Sequence, residues 1–396
     1  MVTGTRDTSL PDAHRRIDTD ALRERWPLED LAARYGVRLR GSGRRLYGRC
    51  PFHDDHTPSL VVYPSSRSWF CFGCRQWGDA IDWVARLEGL DFARACELLG
   101  AGRLDPRPSR PPRPRPSPFA DGLPGWALEA LEAAAEIYHA ALGRSMQARW
   151  YARARGIRAH AIARARLGFS SGCDLARGFH ARGIPLGAAR ELGLLDRSGR
   201  ELLGGRLVVP VVVGRQVVTM TGRAIDPRQE PRYLDLPLPT HLLGCDEAAG
   251  AGRPVLVEGV TDYLVALGWG YPACSPMGTH AAQNTRAQAV ALARQAELVV
   301  LAFDNDEGGR RAADDWSSLL GRKAAPVRWP PAVGDTGDLG RWPEGRLLFD
   351  RLLADAEARW RATRPPLDPA PAGAEPAAAT FRISRSGQRA AEAIIR

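Results

Sequence analysis

Residues 299–313, VVLAFDNDEGGRRAA, pass from an apolar run into three carboxylates within four positions, Asp304, Asp306 and Glu307. The apolar run reads as a buried strand and the glycine-led GGRRAADDWSSLLG (308–321) as the helix that follows it. The same alternation extends outward. Short apolar runs PVLVEG (254–259), ELVVLAFD (297–304) and APVRWP (325–330) are interleaved with the helical TDYLVALGWG (261–270) and RAQAVALARQA (286–296). Strand–helix–strand repetition of this kind predicts an α/β fold with a parallel sheet, whose strands deliver functional groups at their carboxyl ends. Glu258 ends one such strand and Asp262 lies one helical turn further on. At a strand end, side chains i and i+2 point the same way, so Asp304 and Asp306 are expected to face one ion while Glu307 points away. Crowded hard-oxygen ligands suit Mg²⁺ or Mn²⁺. A further acidic stretch, GDTGDL (334–339), adds Asp335 and Asp338.

The 396 residues are enough for two or three domains. Basic residues exceed acidic ones by 55 to 45, and Lys323 is the single lysine. The arginine excess favours a polyanionic partner such as nucleic acid. There is no apolar run long enough for a membrane span and no secretory leader pattern, so a cytoplasmic, nucleoid-associated location is expected. In a reducing compartment seven cysteines read as a metal site plus strays rather than a disulfide framework.

Composition divides the chain into six parts. Residues 18–100 form a compact first block, and 101–124 a Pro/Arg-rich linker containing RLDPRPSRPPRPRPSP. Residues 125–250 form a segment of mixed α+β character, in which GRLVVPVVVGRQVVTMTGRAID (205–226) reads as two strands turned at Gly214-Arg215. Residues 251–345 hold the parallel sheet, 346–364 a C-terminal helix, and 365–396 a mostly disordered Pro/Ala-rich tail.

In CPFHDDHTPSLVVYPSSRSWFCFGC (50–74), Cys50 and His53 are paired three apart and Cys71 and Cys74 likewise. Two such knuckles aim four soft ligands at one Zn²⁺. His53 is preferred to His56 because C-x-x-H mirrors C-x-x-C. With four protein ligands no position is left for a catalytic water, so one structural Zn²⁺ is expected. Trp69 and Phe72 are the aromatics singled out for stacking on unpaired bases.

The stretch RRLYGRCPFHDDHTPSLVVYPSSRSWFCFGCRQWGDAIDWV (44–84) resembles, nearly position for position, the zinc-binding domain of bacterial DnaG-type DNA primases, whose ligand set is Cys-His-Cys-Cys. The Glu258 and Asp304-x-Asp306 elements resemble the family's TOPRIM catalytic fold, a Rossmann-like parallel sheet with flanking helices. CSPMGTH (274–280) stands where the family has a small glycine loop. Leu167–Gly244 resembles the basic subdomain of its core, and carries Arg206, Arg223 and Arg232 onto positions of nucleic-acid and nucleotide contact. The family usually has a further basic residue after the YLDLP element; here the chain reads LPTHLLG, with His241.

The resemblance implies a primase that makes RNA primers on single-stranded DNA from NTPs and holds a primer–template duplex, with Glu258, Asp304 and Asp306 catalytic. Glu258, Asp262, Asp304, Asp306, Asp335 and Asp338 are its implied Mg²⁺ or Mn²⁺ ligands, Asp262 as a second-metal or outer partner. The family's helicase-interaction domain has no expected counterpart after residue 365, which suggests a mobile-element or phage primase, or a helicase met through another surface. Two rivals stand beside this reading: another TOPRIM phosphotransferase such as a nuclease, and a non-catalytic replication-initiation DNA-binding protein.

Overall fold

The computed structural model describes residues 18–363 apart from 57, 75, 103, 105–118, 120–121, 197 and 279–281. Most of the expected linker (101–124) and the expected tail (365–396) lie outside the described residues. The chain forms two units that meet in sequence at residues 115 and 116.

The first unit opens with α1 (Thr19–Arg25) and α2 (Leu28–Arg34), continues through β1 (Leu46–Gly48), β2 (Leu60–Tyr63), β3 (Ser68–Cys71) and β4 (Trp77–Gly78), and closes with α3 (Ala80–Leu87) and α4 (Phe92–Ala101). The strands form one antiparallel sheet in sequential order. Helix α3 starts at a capping box: Asp79 accepts the Ile81 and Asp82 N–H groups while Asp82 accepts the Asp79 N–H. A ring cluster holds sheet to helix, Phe52 stacking on Trp69 at 4.5 Å and both meeting Trp83 edge-on.

The second unit begins with helices α5 (Gly125–Arg144), α6 (Met146–Ala154) and α7 (Ala159–Arg164). An antiparallel sheet follows, β5 (Gly168–Ser170), β6 (Arg206–Val213), β7 (Gln216–Ala224) and β8 (Tyr233–Asp235), with α8 (Asp174–Ala181) and α9 (Leu186–Glu191) inserted after β5. The β6–β7 turn is the predicted one. Val213 pairs with Gln216, and Gly214 and Arg215 both adopt positive φ, the backbone a tight two-residue hairpin requires.

After α10 (Cys245–Ala248) come β9 (Val255–Val257), α11 (Val260–Gly268), β10 (Ala273–Cys274), α12 (Gln283–Gln295), β11 (Val299–Ala302), α13 (Glu307–Leu320), β12 (Ala324–Pro326), α14 (Thr336–Gly340) and α15 (Gly345–Ala362). Here the sheet is parallel in the order β10-β9-β11-β12. Strand β10 ends at Cys274, the first residue of the stretch read from sequence as a glycine loop.

The apolar runs of β9 and β11 have two buried faces. Val255, Val257, Val300 and Ala302 enter one core with α7, α11 and α15, whereas Leu256, Val299 and Leu301 enter a second core with Ala289, Leu292, Ala312 and Trp316 of α12 and α13. Burial on both faces is why these strands are apolar at every position. The first of these cores also takes Leu207, Val209 and Val211 from the antiparallel sheet, and Phe349, Leu352, Ala356 and Trp360 from α15. The boundaries expected at 250 and 345 are therefore changes of topology, with no break in the core beneath them. No helix among the described residues is long and apolar enough to cross a membrane.

Candidate active site and zinc-ligand group

The structure brings Cys50, His53, Cys71 and Cys74 together, with one ligand atom from each lying within 4.8 Å of the others. The Cys50 and Cys74 sulfurs are 3.8 Å apart and His53 Nε2 is 3.3 Å from the Cys71 sulfur. A tetrahedron with Zn–S bonds of about 2.3 Å has edges of about 3.8 Å, so the donor set and its size fit Zn²⁺. Hydrogen bonding to Cys71 and Cys74 pushes the Cys50 thiol up, and the bond to Cys50 pulls Cys71 down, as expected of sulfurs crowded for one cation. A second ring of contacts orients them. Asp55 accepts from the backbone of Cys50 (2.7 Å) and from the Ser59 hydroxyl (2.8 Å), which itself lies 3.2 Å from the Cys71 sulfur. A Cβ at Gly73 would fall 2.8 Å from the His53 ring, so the second knuckle closes only around a glycine. His56 stays outside, exposed beside Asp54.

Trp69 is 1% exposed and donates its ring N–H to the Asp79 carbonyl; as a core residue it has no face left for a base, which corrects the stacking expectation. Phe72, the residue that follows strand β3, is 55% exposed.

The carboxylates gather at the carboxyl edge of the parallel sheet. Glu258 follows β9, Asp262 sits in the first turn of α11, Asp304 follows β11 and Asp335 caps α14. Oxygens of Asp262, Asp304 and Asp335 lie within 4.8 Å of one another. Burial, then the charges of Asp262 and Glu258, push the Asp304 carboxyl up to about 9; burial, then Asp335, raises Asp262 to about 7. Asp304 Oδ1 is buried with no hydrogen-bond partner among the described residues. An orphaned, buried oxygen among mutually repelling carboxylates fits a divalent cation with hard-oxygen preference. Glu258 adjoins the group, its Oε2 accepting the Asp304 N–H at 3.4 Å, and burial raises its carboxyl too.

Asp262 is thus central rather than outlying. Asp306 is the converse case. Strand β11 ends at Ala302, the i, i+2 rule lapses beyond it, and Asp306 becomes the N-cap of α13, accepting the Gly309 N–H at 2.7 Å. Asp338 turns from the group toward Gly334 and pairs with Arg341, and Glu307 pairs along its helix with Arg311.

Two contacts invisible in the sequence pattern hold the acids in place. The Gly337 N–H donates to Asp262 Oδ1 at 2.7 Å, tying α14 to α11. Asn305 donates its backbone N–H to Gly334 O (2.6 Å) and its amide to Val333 O (2.9 Å) and Pro330 O (3.2 Å), so the 330–334 loop hangs from the turn that carries Asp304. Helix α13 can come this close because a Cβ at Gly309 would collide with the Asp304 carbonyl.

Of the three arginines expected at the nucleic-acid or nucleotide contacts, Arg232 is exposed. Arg206 is 2% exposed and donates to the Arg232 carbonyl, a structural tie that corrects its assignment as a surface contact. Arg223 is 8% exposed, and its charge reaches Asp335 strongly enough to oppose the rise of that carboxyl. Arg155, which sequence reasoning missed, joins Arg223 and Arg232 in the field felt by Tyr151. Its guanidinium stands 5.3 Å over the Tyr151 ring. His241 is held between amides of α12: Gln288 Nε2 at 3.0 Å and Asn284 Nδ2 at 3.3 Å both reach Nδ1, and burial lowers its pKa.

These features define a zinc-ribbon protein with a Toprim-like domain. The CHC2 zinc finger family matches residues 14–103 and the Toprim-like family residues 255–338. The DNA primase of Halalkalibacterium halodurans is 28% identical over 330 residues, covering 78% of this chain and 54% of the relative, and that of Aquifex aeolicus 28% over 336 residues, covering 79% and 64%. The chain thus spans somewhat more than half the length of these relatives. Among solved structures, the zinc-binding and RNA polymerase domains of the Aquifex aeolicus primase superpose with a TM-score of 0.52 at 26% identity over 85% of each chain. The RNA polymerase domain of Mycobacterium tuberculosis primase DnaG, solved with a double-stranded DNA oligomer bearing a 6-nucleotide overhang, gives 0.50 at 27% identity, covering 60% of this chain and 81% of that one. Over the matched residues the chain is similar to bacterial DNA primases.

Proposed function

We propose that the protein is a DNA primase, joining NTPs into short RNA primers on a single-stranded DNA template. The observation that carries this reading is the carboxylate group of Asp262, Asp304 and Asp335, with Arg223 in Coulomb reach of one of its members. Primer synthesis brings two polyanions together, and the chain supplies both the acids to hold cations and the guanidinium groups to receive phosphates.

Asp262, Asp304 and Asp335 would hold Mg²⁺ or Mn²⁺, with Glu258 beside them and the second oxygen of Asp306 available at the cap. A cation so held supplies Lewis-acid polarisation of the primer hydroxyl and the leaving pyrophosphate. Glu258, whose carboxyl burial raises, is placed to accept or return a proton at the edge of the group. Arg223, Arg232 and Arg155 orient the triphosphate and template backbone, and Phe72 on the zinc unit offers a ring to an unpaired base. A replicative helicase would be met at a surface outside these groups.

The test is primer synthesis on single-stranded DNA with labelled NTPs and Mg²⁺ or Mn²⁺. Short RNA products that disappear in Asp304→Asn support the reading; metal-dependent DNA cleavage without NTPs replaces it with a nuclease, and DNA binding with neither product replaces it with a non-catalytic initiator.

A further inference from the structure

Arg223 is held in an unusual way for a phosphate-binding arginine. Its Nε donates to the Tyr151 hydroxyl at 2.8 Å, and its Cζ stands 4.9 Å over the ring of Tyr233. Tyr233 in turn reaches across to the parallel-sheet region, its hydroxyl 3.3 Å from Thr261 Oγ1. Thr261 immediately precedes Asp262 in the first turn of α11. A line of contacts therefore runs from α6 through β7 and β8 to the acid group: hydroxyl to guanidinium, guanidinium on ring, hydroxyl to hydroxyl.

Each contact removes one freedom of the arginine. The hydrogen bond to Nε fixes rotation about the last side-chain torsion, and the Tyr233 ring fixes the plane. With Nε committed, the two Nη groups make no hydrogen bond among the described residues. Burial alone would push the Tyr151 hydroxyl up; the hydrogen bond and charge of Arg223, with Arg155 and Arg232 behind, outweigh it and lower the pKa, so the hydroxyl is polarised toward accepting. An arginine needed only for packing would not leave its forked end unspent on a ring that itself reaches the residue before Asp262.

We propose that Tyr151 and Tyr233 are positioning residues that hold Arg223 with its terminal nitrogens facing the phosphates of an incoming nucleotide. This rests on the primase reading and assigns the tyrosines a part within it. Neither tyrosine touches the nucleotide; both act through the arginine.

The experiment is a double-mutant cycle in the full chain, reading KM for NTP and kcat separately during primer synthesis. Tyr151→Phe, which removes a single hydroxyl, raises the NTP KM about 10-fold, the scale of one hydrogen bond to a charged group, with kcat within about 2-fold. Tyr233→Phe raises it less, about 3-fold, because the ring still covers the guanidinium. In an Arg223→Ala background, Tyr151→Phe changes the KM no further, since the group it positions is gone.

An unchanged KM in Tyr151→Phe, or an equal additional loss in the Arg223→Ala background, overturns the proposal, the second outcome assigning Tyr151 to packing alone. Wild-type protein that makes no primers overturns the primase reading instead. Equilibrium binding of a fluorescent ATP with Mg²⁺ then judges the bracket: weakening by Tyr151→Phe only while Arg223 is present supports it, and equal affinities overturn it.

Discussion

The two ligand groups of this chain are built on opposite principles. Around Cys50, His53, Cys71 and Cys74 the protein supplies four donors at tetrahedral spacing, with Asp55, Ser59 and Gly73 locking them from behind. Around Asp262, Asp304 and Asp335 it supplies like charges that push one another's protonation upward and leave one buried oxygen unpaired. The first closes a shell and anchors a small fold; the second leaves part of a shell for something that comes and goes.

The comparison breaks first at the zinc-ligand group. Cys71→Ser is expected to lower bound zinc from about one per chain to near none and to unfold residues 18–102, because binding free energy on the order of 10 kcal/mol is folding free energy in such units. Elemental analysis and circular dichroism read this out, and full zinc in the variant would reassign the ligands. At the acid group, Asp304→Asn is expected to cut primer synthesis on the order of 100-fold or more while leaving the fold intact, since an amide of the same shape replaces a carboxyl that burial already keeps protonated in the metal-free chain. Loss of folding in that variant would show the carboxylate to be structural.

A smaller effect separates the two groups by pH. Asp262 and Asp304 are raised from 3.8 to about 7 and about 9, so the metal-free folded chain binds more protons than the unfolded one across that interval. The stability they contribute is present in acid and is lost as pH rises from about 4 through 9. Mg²⁺ is therefore expected to stabilise the fold, and so raise the thermal midpoint, more at pH 8 than at pH 6, the gain in unfolding free energy reaching about 3 kcal/mol at a hundredfold excess over Kd. Calorimetry showing the same gain at both values would remove the three-acid site. The smallest change lies behind the zinc ligands: Asp55→Asn should weaken zinc about 10- to 100-fold in a chelator competition without abolishing it.

Much of this was legible in the sequence because it follows from spacing. Knuckle intervals set which cysteines can meet, and uninterrupted apolar runs between helices could only be strands buried on both faces. What escaped depended on where an element ends or how it packs. Asp306 differs from Asp304 in role because β11 stops at Ala302, a boundary that periodicity does not mark. Trp69 and Phe72 lie three apart, yet one is closed in by Phe52 and Trp83 and the other is not. Arg206 and Arg223 are both arginines on a hairpin, and only the packing of Tyr151 and Tyr233 tells which keeps a free end. Arg155 carried no motif; its proximity to Tyr151 is a product of the tertiary fold.

The amide of Asn305 has a consequence for how this region can vary. Asp304 and Asp335 are separated by a helix, a strand and a loop, yet the bonds from Asn305 to Gly334, Val333 and Pro330 fasten the two ends of that excursion directly. The gap between the carboxylates behaves like the jaw of a clamp whose screw is one residue, its backbone N–H and its side-chain amide together. Stretches of the excursion that touch neither this fastening nor the cores can drift in composition without resetting the jaw, while a side-chain change at position 305 would remove the bonds to Val333 and Pro330 and loosen it.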